Sequence, residues 1–150
     1  MQHRTFQAER IKQNFADASV FYDVWAKATE SKAADRVLKW ADIKEYETLL
    51  EVGVGTGLLF EQILIQNKQG FTAGIDLSPQ MLAKAEQRVC KFEEGRNFSL
   101  KEGSAYAIPF SDQEFDCLIS TYMLDLLPEE DFVDILTEYK RVLKPGGHDL

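Results

Sequence analysis

The segment Leu49-Leu50-Glu51-Val52-Gly53-Val54-Gly55-Thr56-Gly57-Leu58-Leu59 constrains this chain more than any other, because an apolar run passes through three alternating glycines straight into a second apolar run. That order reads as a strand, a tight turn and a helix. Glycine takes positive φ without a Cβ penalty and lets a ligand lie close to the backbone, while the helix behind the turn offers N–H groups with no intrahelical partner. The turn is therefore suited to a nucleotide-like ligand. Phe71-Thr72-Ala73-Gly74-Ile75-Asp76 reads as the next strand and ends in a carboxylate 19 residues beyond Gly57. An acid at that distance is placed to accept hydrogen bonds from the two hydroxyls of a ribose.

The glycine spacing discriminates between ligands. A dinucleotide fingerprint, Gly-x-Gly-x-x-Gly, would require glycine where Leu58 stands, so nicotinamide or flavin binding is disfavoured. The pattern Glu-x-Gly-x-Gly-x-Gly that begins at Glu51 instead resembles motif I of the class I S-adenosylmethionine-dependent methyltransferases. The resemblance continues in order along the chain. Gly74-Ile75-Asp76-Leu77-Ser78-Pro79-Gln80-Met81-Leu82 is similar to the family's second-strand motif, and Gly103-Ser104-Ala105 with Ile108-Pro109-Phe110 to its third. Phe115-Asp116-Cys117-Leu118-Ile119-Ser120 is similar to the fourth strand, and Arg141-Val142-Leu143-Lys144-Pro145-Gly146-Gly147 to the segment leading into the fifth. The resemblance covers roughly residues 45 to 147 and is strongest to the small-molecule branch that includes quinone-biosynthesis methyltransferases.

What the resemblance implies is an α/β fold, a Rossmann-like doubly wound parallel sheet, with S-adenosylmethionine as cofactor and a small-molecule acceptor. It assigns Gly53, Gly55 and Gly57 to the methionine and ribose portions, Glu51 to the cofactor ammonium, and Asp76 to the ribose hydroxyls. Leu77 and Met81 flank the adenine, and the backbone of Ala105 faces its ring. Ser104 departs from the family, which usually supplies an aspartate to the adenine exocyclic amine; a neutral hydroxyl accepts that bond more weakly. Thr121 lies just after the fourth strand, at the end of the sheet where such folds open their crevice. Tyr22, within Phe21-Tyr22-Asp23-Val24-Trp25, matches an aromatic stretch of the N-terminal helical segment that lies across the cofactor in the family. Tyr22 and Trp25 read equally well as core aromatics.

Elements follow from periodicity. From Thr48 onward strands near 48–52, 71–76, 97–102 and 115–121 alternate with helices, the pattern of a parallel sheet with right-handed crossovers. Ser78 as N-cap and Pro79 at the first helical position start a helix that buries Met81, Leu82, Ala85, Val89 and Phe92. Another begins near Pro128 and buries Phe132, Ile135, Leu136, Tyr139 and Leu143 before Pro145-Gly146-Gly147 stops it. Ahead of the sheet, Phe6, Ile11, Phe15 and Ala18, and then Ala33, Val37, Leu38 and Ala41, form helical stripes expected to pack over the ligand mouth. The reading is one domain, 1–150, with an N-terminal helical cap over 1–47 and a Rossmann-like core over 48–150. His148-Asp149-Leu150 does not read as a fifth strand, so the expected order is 3-2-1-4 with later strands missing. The apolar run Cys117-Leu118-Ile119 would then form an exposed edge open to self-association.

Composition limits the partners. Net charge is −8, and between Lys101 and Lys140 ten acidic residues occur without a Lys or Arg. Phosphate backbones would be repelled, which argues against nucleic acid and for a neutral, apolar or cationic acceptor. The N-terminus has no apolar leader region and no apolar run approaches the length of a membrane span, so the expected location is the cytoplasm. Cys90 and Cys117 lack metal-ligand spacing and read as reduced core thiols, and no metal is expected. No catalytic residue is assignable: His3 and His148 stand outside any motif, and Tyr22, Tyr106, Tyr122 and Asp125 are unranked candidates for a base. Methyl transfer competes with a second reading, a catalytically silent cofactor-binding module that docks through its sheet edge. Titration with S-adenosylmethionine, S-adenosylhomocysteine and NADH would exclude a nicotinamide enzyme.

Overall fold

The structure, a computed structural model, describes residues 33–121 and 127–150. Five parallel strands form one sheet in the order β3-β2-β1-β4-β5, where β1 is Thr48–Val52, β2 Phe71–Asp76, β3 Asn97–Glu102, β4 Phe115–Ile119 and β5 Leu143–Asp149. The first three match the expected segments residue for residue; β4 stops two residues short. In the centre, Leu50 lies in register with Ala73 on one side and Leu118 on the other. Both faces of β1 are covered, which is why its sequence is an apolar run rather than an alternation.

Strand side chains alternate between two layers. Leu49, Cys117 and Ile119 pack under helix α1, described over 33–41, and α2, Leu58–Gln66. Leu50, Val52, Ala73, Ile75 and Leu118 pack against α4, Phe132–Val142, on the other face. The described part of the N-terminal cap therefore lies on a sheet face beside α2 instead of over the ligand mouth. Its buried stripe is Ala34, Leu38 and Ala41, with Val37 at the margin. The stripe Phe6 to Ala18 and the segment around Tyr22 lie outside the described residues.

Helix α3, Pro79–Val89, starts as expected: Ser78 Oγ accepts from the Met81 N–H at 3.3 Å and Pro79 opens the first turn. Met81, Leu82, Ala85 and Val89 are buried, and a 3-10 turn, Cys90–Phe92, ends the helix. That turn rotates Cys90 into solvent, so it is not a core thiol. Cys117 is, and burial first, then neighbouring acids, pushes its thiol pKa up to about 12. Helix α4 buries Ile135, Tyr139 and Val142, a spacing of four and three, whereas Leu136 is 47% exposed. It ends at Val142, before the Pro145-Gly146-Gly147 stop.

The fifth strand is present, contrary to expectation. Phe115 pairs with Leu143, and Cys117 and Leu118 with His148 and Asp149; between these contacts Lys144 to Gly147 loop outward as a bulge. Gly146 supplies the positive φ, +82°, that the bulge needs. Beyond it the Leu150 N–H donates to Leu118 O at 2.9 Å and the Ser120 N–H to Leu150 O at 2.8 Å. With β1 on one side and β5 on the other, β4 is not an edge, and the expected self-association through it loses its physical basis.

Candidate functional site

The carboxyl ends of β1, β2, β3 and β4 lie along one rim, which carries Glu51, the glycine turn, Asp76, Leu77, Ser104, Ala105 and Thr121. The backbone N–H groups of Gly53 and Val54 both donate to Ile75 O, at 2.9 and 3.1 Å, which pins the start of the glycine turn to β2. Gly55 has φ of +56° and no heavy atom beyond its chain neighbours within 4 Å of where a Cβ would stand. Its glycine identity is therefore a matter of backbone angle, and the space above it is open to a ligand. Gly57, φ +82°, is the left-handed N-cap of α2, and a Cβ there would meet Ala85 Cα and Cβ at 2.9 Å. It lets α2 and α3 approach closely.

Two carboxylates close the rim. Glu51, at the end of β1 and in register with Gly74 and Ile119, is 1% exposed. Asp76, at the end of β2, is 9% exposed, with Oδ2 accepting from the Gly55 N–H and Oδ1 from the Ser78 N–H, each at 2.8 Å. Burial raises the Asp76 pKa above the ordinary carboxylate value, against the lowering effect of backbone donors at Ser78, Gly55 and Leu77. A carboxylate has about four lone-pair sites, so these bonds leave acceptor capacity for ligand hydroxyls. Asp76 thus does two jobs at one place: it shapes the turn and presents an anion beside it.

On the β3 side, the Gly103 N–H donates to Asp76 O at 3.0 Å and carries the chain into Ser104. Ser104 Oγ accepts from the Tyr106 N–H at 3.2 Å, a local turn that holds the hydroxyl at the rim. Ala105 is buried behind it. Leu77 is half-buried beside Asp76, Met81 is packed in the core, and Thr121 is half-buried at the mouth of β4. Tyr22, Tyr122 and Asp125 lie outside the described residues. The remaining candidate for a base is otherwise engaged: the Tyr106 hydroxyl, in a residue 8% exposed, donates to Asp131 Oδ2 at 2.8 Å, while His148, set aside from sequence, has Nε2 3.2 Å from Ala41 O.

Sequence reasoning missed the side chains that brace the glycine turn and, farther from the rim, the segment after β3. Arg88, on α3, donates from Nε to Thr56 O at 3.0 Å and steadies the glycine turn. Arg141, on α4, donates to the carbonyls of Ile108 and Phe110 at 2.9 Å, while its partner Glu138 accepts from the Ile108 N–H at 2.7 Å. Arg141 stood inside a recognised motif, but nothing local says which carbonyls it reaches.

Open space over a glycine turn, ringed by buried carboxylates, fits a cationic ligand that carries vicinal hydroxyls, as S-adenosylmethionine does. The profile of the family described as "Methyltransferase domain" matches residues 49–147. The chain belongs to the S-adenosylmethionine-dependent methyltransferases. This methyltransferase domain is 32% identical over 135 residues to an uncharacterized methyltransferase of Schizosaccharomyces pombe, an alignment covering 87% of the chain and 47% of that protein. It is 32% identical over 140 residues to the demethylmenaquinone methyltransferase of Bacillus subtilis, covering 93% of the chain and 58% of the relative. A solved S-adenosylmethionine-dependent methyltransferase from Aquifex aeolicus superposes with a TM-score of 0.65 at 28% identity, covering 75% of this chain and 58% of that one. The chain spans about half the length of these relatives. Among the described residues, no group of acidic, histidine or cysteine side chains could hold a metal, and no helix is long and apolar enough to cross a membrane.

Proposed function

We propose that this domain binds S-adenosylmethionine at the carboxyl rim of its sheet and transfers the methyl group to a small-molecule acceptor. The observation that carries the reading is Asp76, a buried carboxylate bonded to the N–H of Gly55 inside the glycine turn. When bound, the cofactor supplies a methyl group on a sulfonium sulfur, open to in-line displacement. The chain's own work is positioning. Asp76 accepts the ribose hydroxyls, Glu51 draws the ammonium, and Gly53, Gly55 and Gly57 admit the ligand to the backbone. Leu77 supplies the apolar side of the adenine subsite with Met81 buried in the core beneath α3's first turn, Ser104 and the Ala105 N–H its polar side, and Thr121 borders the mouth; a part for Tyr22 rests on the sequence resemblance alone. Holding the reactants in line converts a bimolecular step into one within a complex, which supplies most of the rate in such a reaction. Tyr106, the described candidate for a base, already donates its hydroxyl to Asp131, which suits an acceptor that ionises readily.

Net charge of −8 supports a small acceptor in preference to nucleic acid, and two free cysteines fit a reducing cytoplasm. Titration calorimetry tests the reading. S-adenosylmethionine and S-adenosylhomocysteine bind with affinities on the order of micromolar while NADH gives no heat, and Asp76→Ala weakens both by roughly tenfold or more. Folded protein that binds neither adenosyl ligand refutes it.

A further inference from the structure

The segment that leaves β3 and the helix that follows β4 are joined into one body by polar bonds at two levels. Away from the rim, Arg141 and Glu138 of α4 grip Ile108 and Phe110 through both carbonyls and the Ile108 N–H, and Arg141 Nη1 reaches Asp112 at 2.8 Å. At the rim, the Tyr106 hydroxyl donates to Asp131 Oδ2 at 2.8 Å, at the amino end of α4. Between the two levels Ala105, Tyr106 and Ile108 share one apolar cluster with Leu127, Ile135, Tyr139 and Val142. The Arg141 grip is remote from the rim. The Tyr106 bond is not: it begins one residue after Ala105 and ends where α4 leaves the crevice.

We propose that Tyr106 and Asp131 form a positioning link through which a ligand seated against Ser104 and Ala105 sets the amino end of α4, so that the two sides of the crevice respond together. The physical argument is short. Tyr106 N–H is bonded to Ser104 Oγ and its ring is packed in the core, so a displacement at Ser104 moves the phenol as a rigid lever. The lever's tip carries a hydrogen bond to a charged group, which is roughly twice as strong as a neutral one. The inference rests on the cofactor reading for its probe, S-adenosylhomocysteine.

Amide hydrogen exchange on the whole chain tests it, with and without S-adenosylhomocysteine, in the native protein, Tyr106→Phe, Asp131→Asn and Asp131→Ala. In the native protein the ligand slows exchange at 53–57, at 104–107 and also at 127–135. Tyr106→Phe keeps the ring in the cluster and the protection at 53–57, but loses about tenfold of the protection at 127–135, the effect of removing one charged hydrogen bond. Asp131→Asn retains an acceptor oxygen and most of the response, whereas Asp131→Ala behaves like Tyr106→Phe. A purely structural role would raise exchange equally with and without ligand. Ligand protection of 127–135 that survives Tyr106→Phe overturns the link, as does protection of 53–57 that never reaches 127–135 in the native protein. Absence of protection at 53–57 in every variant overturns the cofactor reading and this inference with it.

Discussion

The two ends of the sheet spend their polar groups differently. At the amino rim Asp116 Oδ2 accepts from the Thr48 N–H at 2.8 Å and Thr48 Oγ1 at 2.7 Å, and Lys144 Nζ lies 2.9 Å from Oδ1. Beside it, buried Asn67 donates to Glu47 O and Thr72 Oγ1 and accepts from the Gly70 N–H. Burial pushes the Asp116 pKa up, but the bonds from Thr48 and Lys144 outweigh it, and the carboxyl titrates below the ordinary value. At the carboxyl rim Asp76 is held by backbone N–H groups alone and titrates above it. The amino rim stabilises the fold with matched charges. The carboxyl rim keeps a buried anion in readiness, which burdens the empty fold and favours a cationic ligand.

The sharpest way to break the comparison is to substitute two glycines that share a left-handed backbone but differ in surroundings. Gly57→Ala meets both the positive φ and the contact with Ala85, so it is expected to destabilise the domain by about 3 kcal/mol, from left-handed strain plus overpacking. Gly55→Ala faces open space and carries only the strain, about 1–2 kcal/mol, yet it intrudes on the ligand. Chemical denaturation with parallel binding of S-adenosylhomocysteine separates the two. Equal stability losses would show that the Gly57 contact relaxes freely.

Acid titration compares the rims directly. A lowered folded pKa means that Asp116 contributes stability above its unfolded pKa and loses it as pH falls through the folded value. Asp116→Asn therefore costs about 1 kcal/mol at neutral pH, the size expected of a part-exposed pair with local hydrogen bonds, and the gap from the native protein closes below about pH 4. Ligand affinity at neutral pH is unchanged by it. Asp76 carries the opposite sign: its folded pKa is raised, so its contribution favours the fold at low pH and is lost as pH rises through that value. Affinity for an adenosyl ligand, which needs the anion, then begins to fall on acidification at a higher pH than an unperturbed aspartate would give. Binding that holds steady down to the titration range of ordinary aspartate would contradict the burial argument.

Legibility in the sequence followed the same divide. The carboxyl rim was readable because its demands are local: Gly53, Gly55 and Gly57 need positive φ, Asp76 ends an apolar strand, and Ser78-Pro79 starts a helix. Each of these leaves a mark within a few residues. The amino rim and the buttresses were not readable, because Thr48 with Asp116, Lys144 with Thr48, and Arg141 with Ile108 join positions far apart in the chain. β5 was missed for a related reason. Leu143-Lys144-Pro145-Gly146-Gly147-His148-Asp149 holds a proline without a donor and two glycines, which argue against a strand, and only its ends pair while the middle bulges. The pairing of His148 and Asp149 is imposed by β4 and not by their own propensity. Leu136 was placed in the core because a stripe of mixed threes and fours admits two readings, and packing chose Ile135, Tyr139 and Val142.

The smallest effect, and the finest probe of the carboxyl rim, is at Ser104. Its Oγ is already the acceptor of the Tyr106 N–H, so under the proposed binding mode the adenine amine would meet an oxygen with one lone pair engaged and no charge. Ser104→Asp supplies a charged acceptor with room for both bonds, and the turn that Ser104 makes is one that aspartate makes equally well. Adenosyl ligands should then bind roughly threefold to tenfold tighter, about 1 kcal/mol, with the thermal midpoint little changed. The gain is bounded because the new carboxylate joins a rim that already carries Glu51 and Asp76, and like charges in a buried site oppose one another. The test should run from low to moderate salt: a true hydrogen bond to the adenine amine persists, whereas a general electrostatic pull on the sulfonium fades with screening and is absent for S-adenosylhomocysteine, which has no sulfonium. An unchanged affinity for both ligands would mean that the adenine amine does not meet Ser104, and the polar side of that subsite would have to be sought elsewhere on the rim.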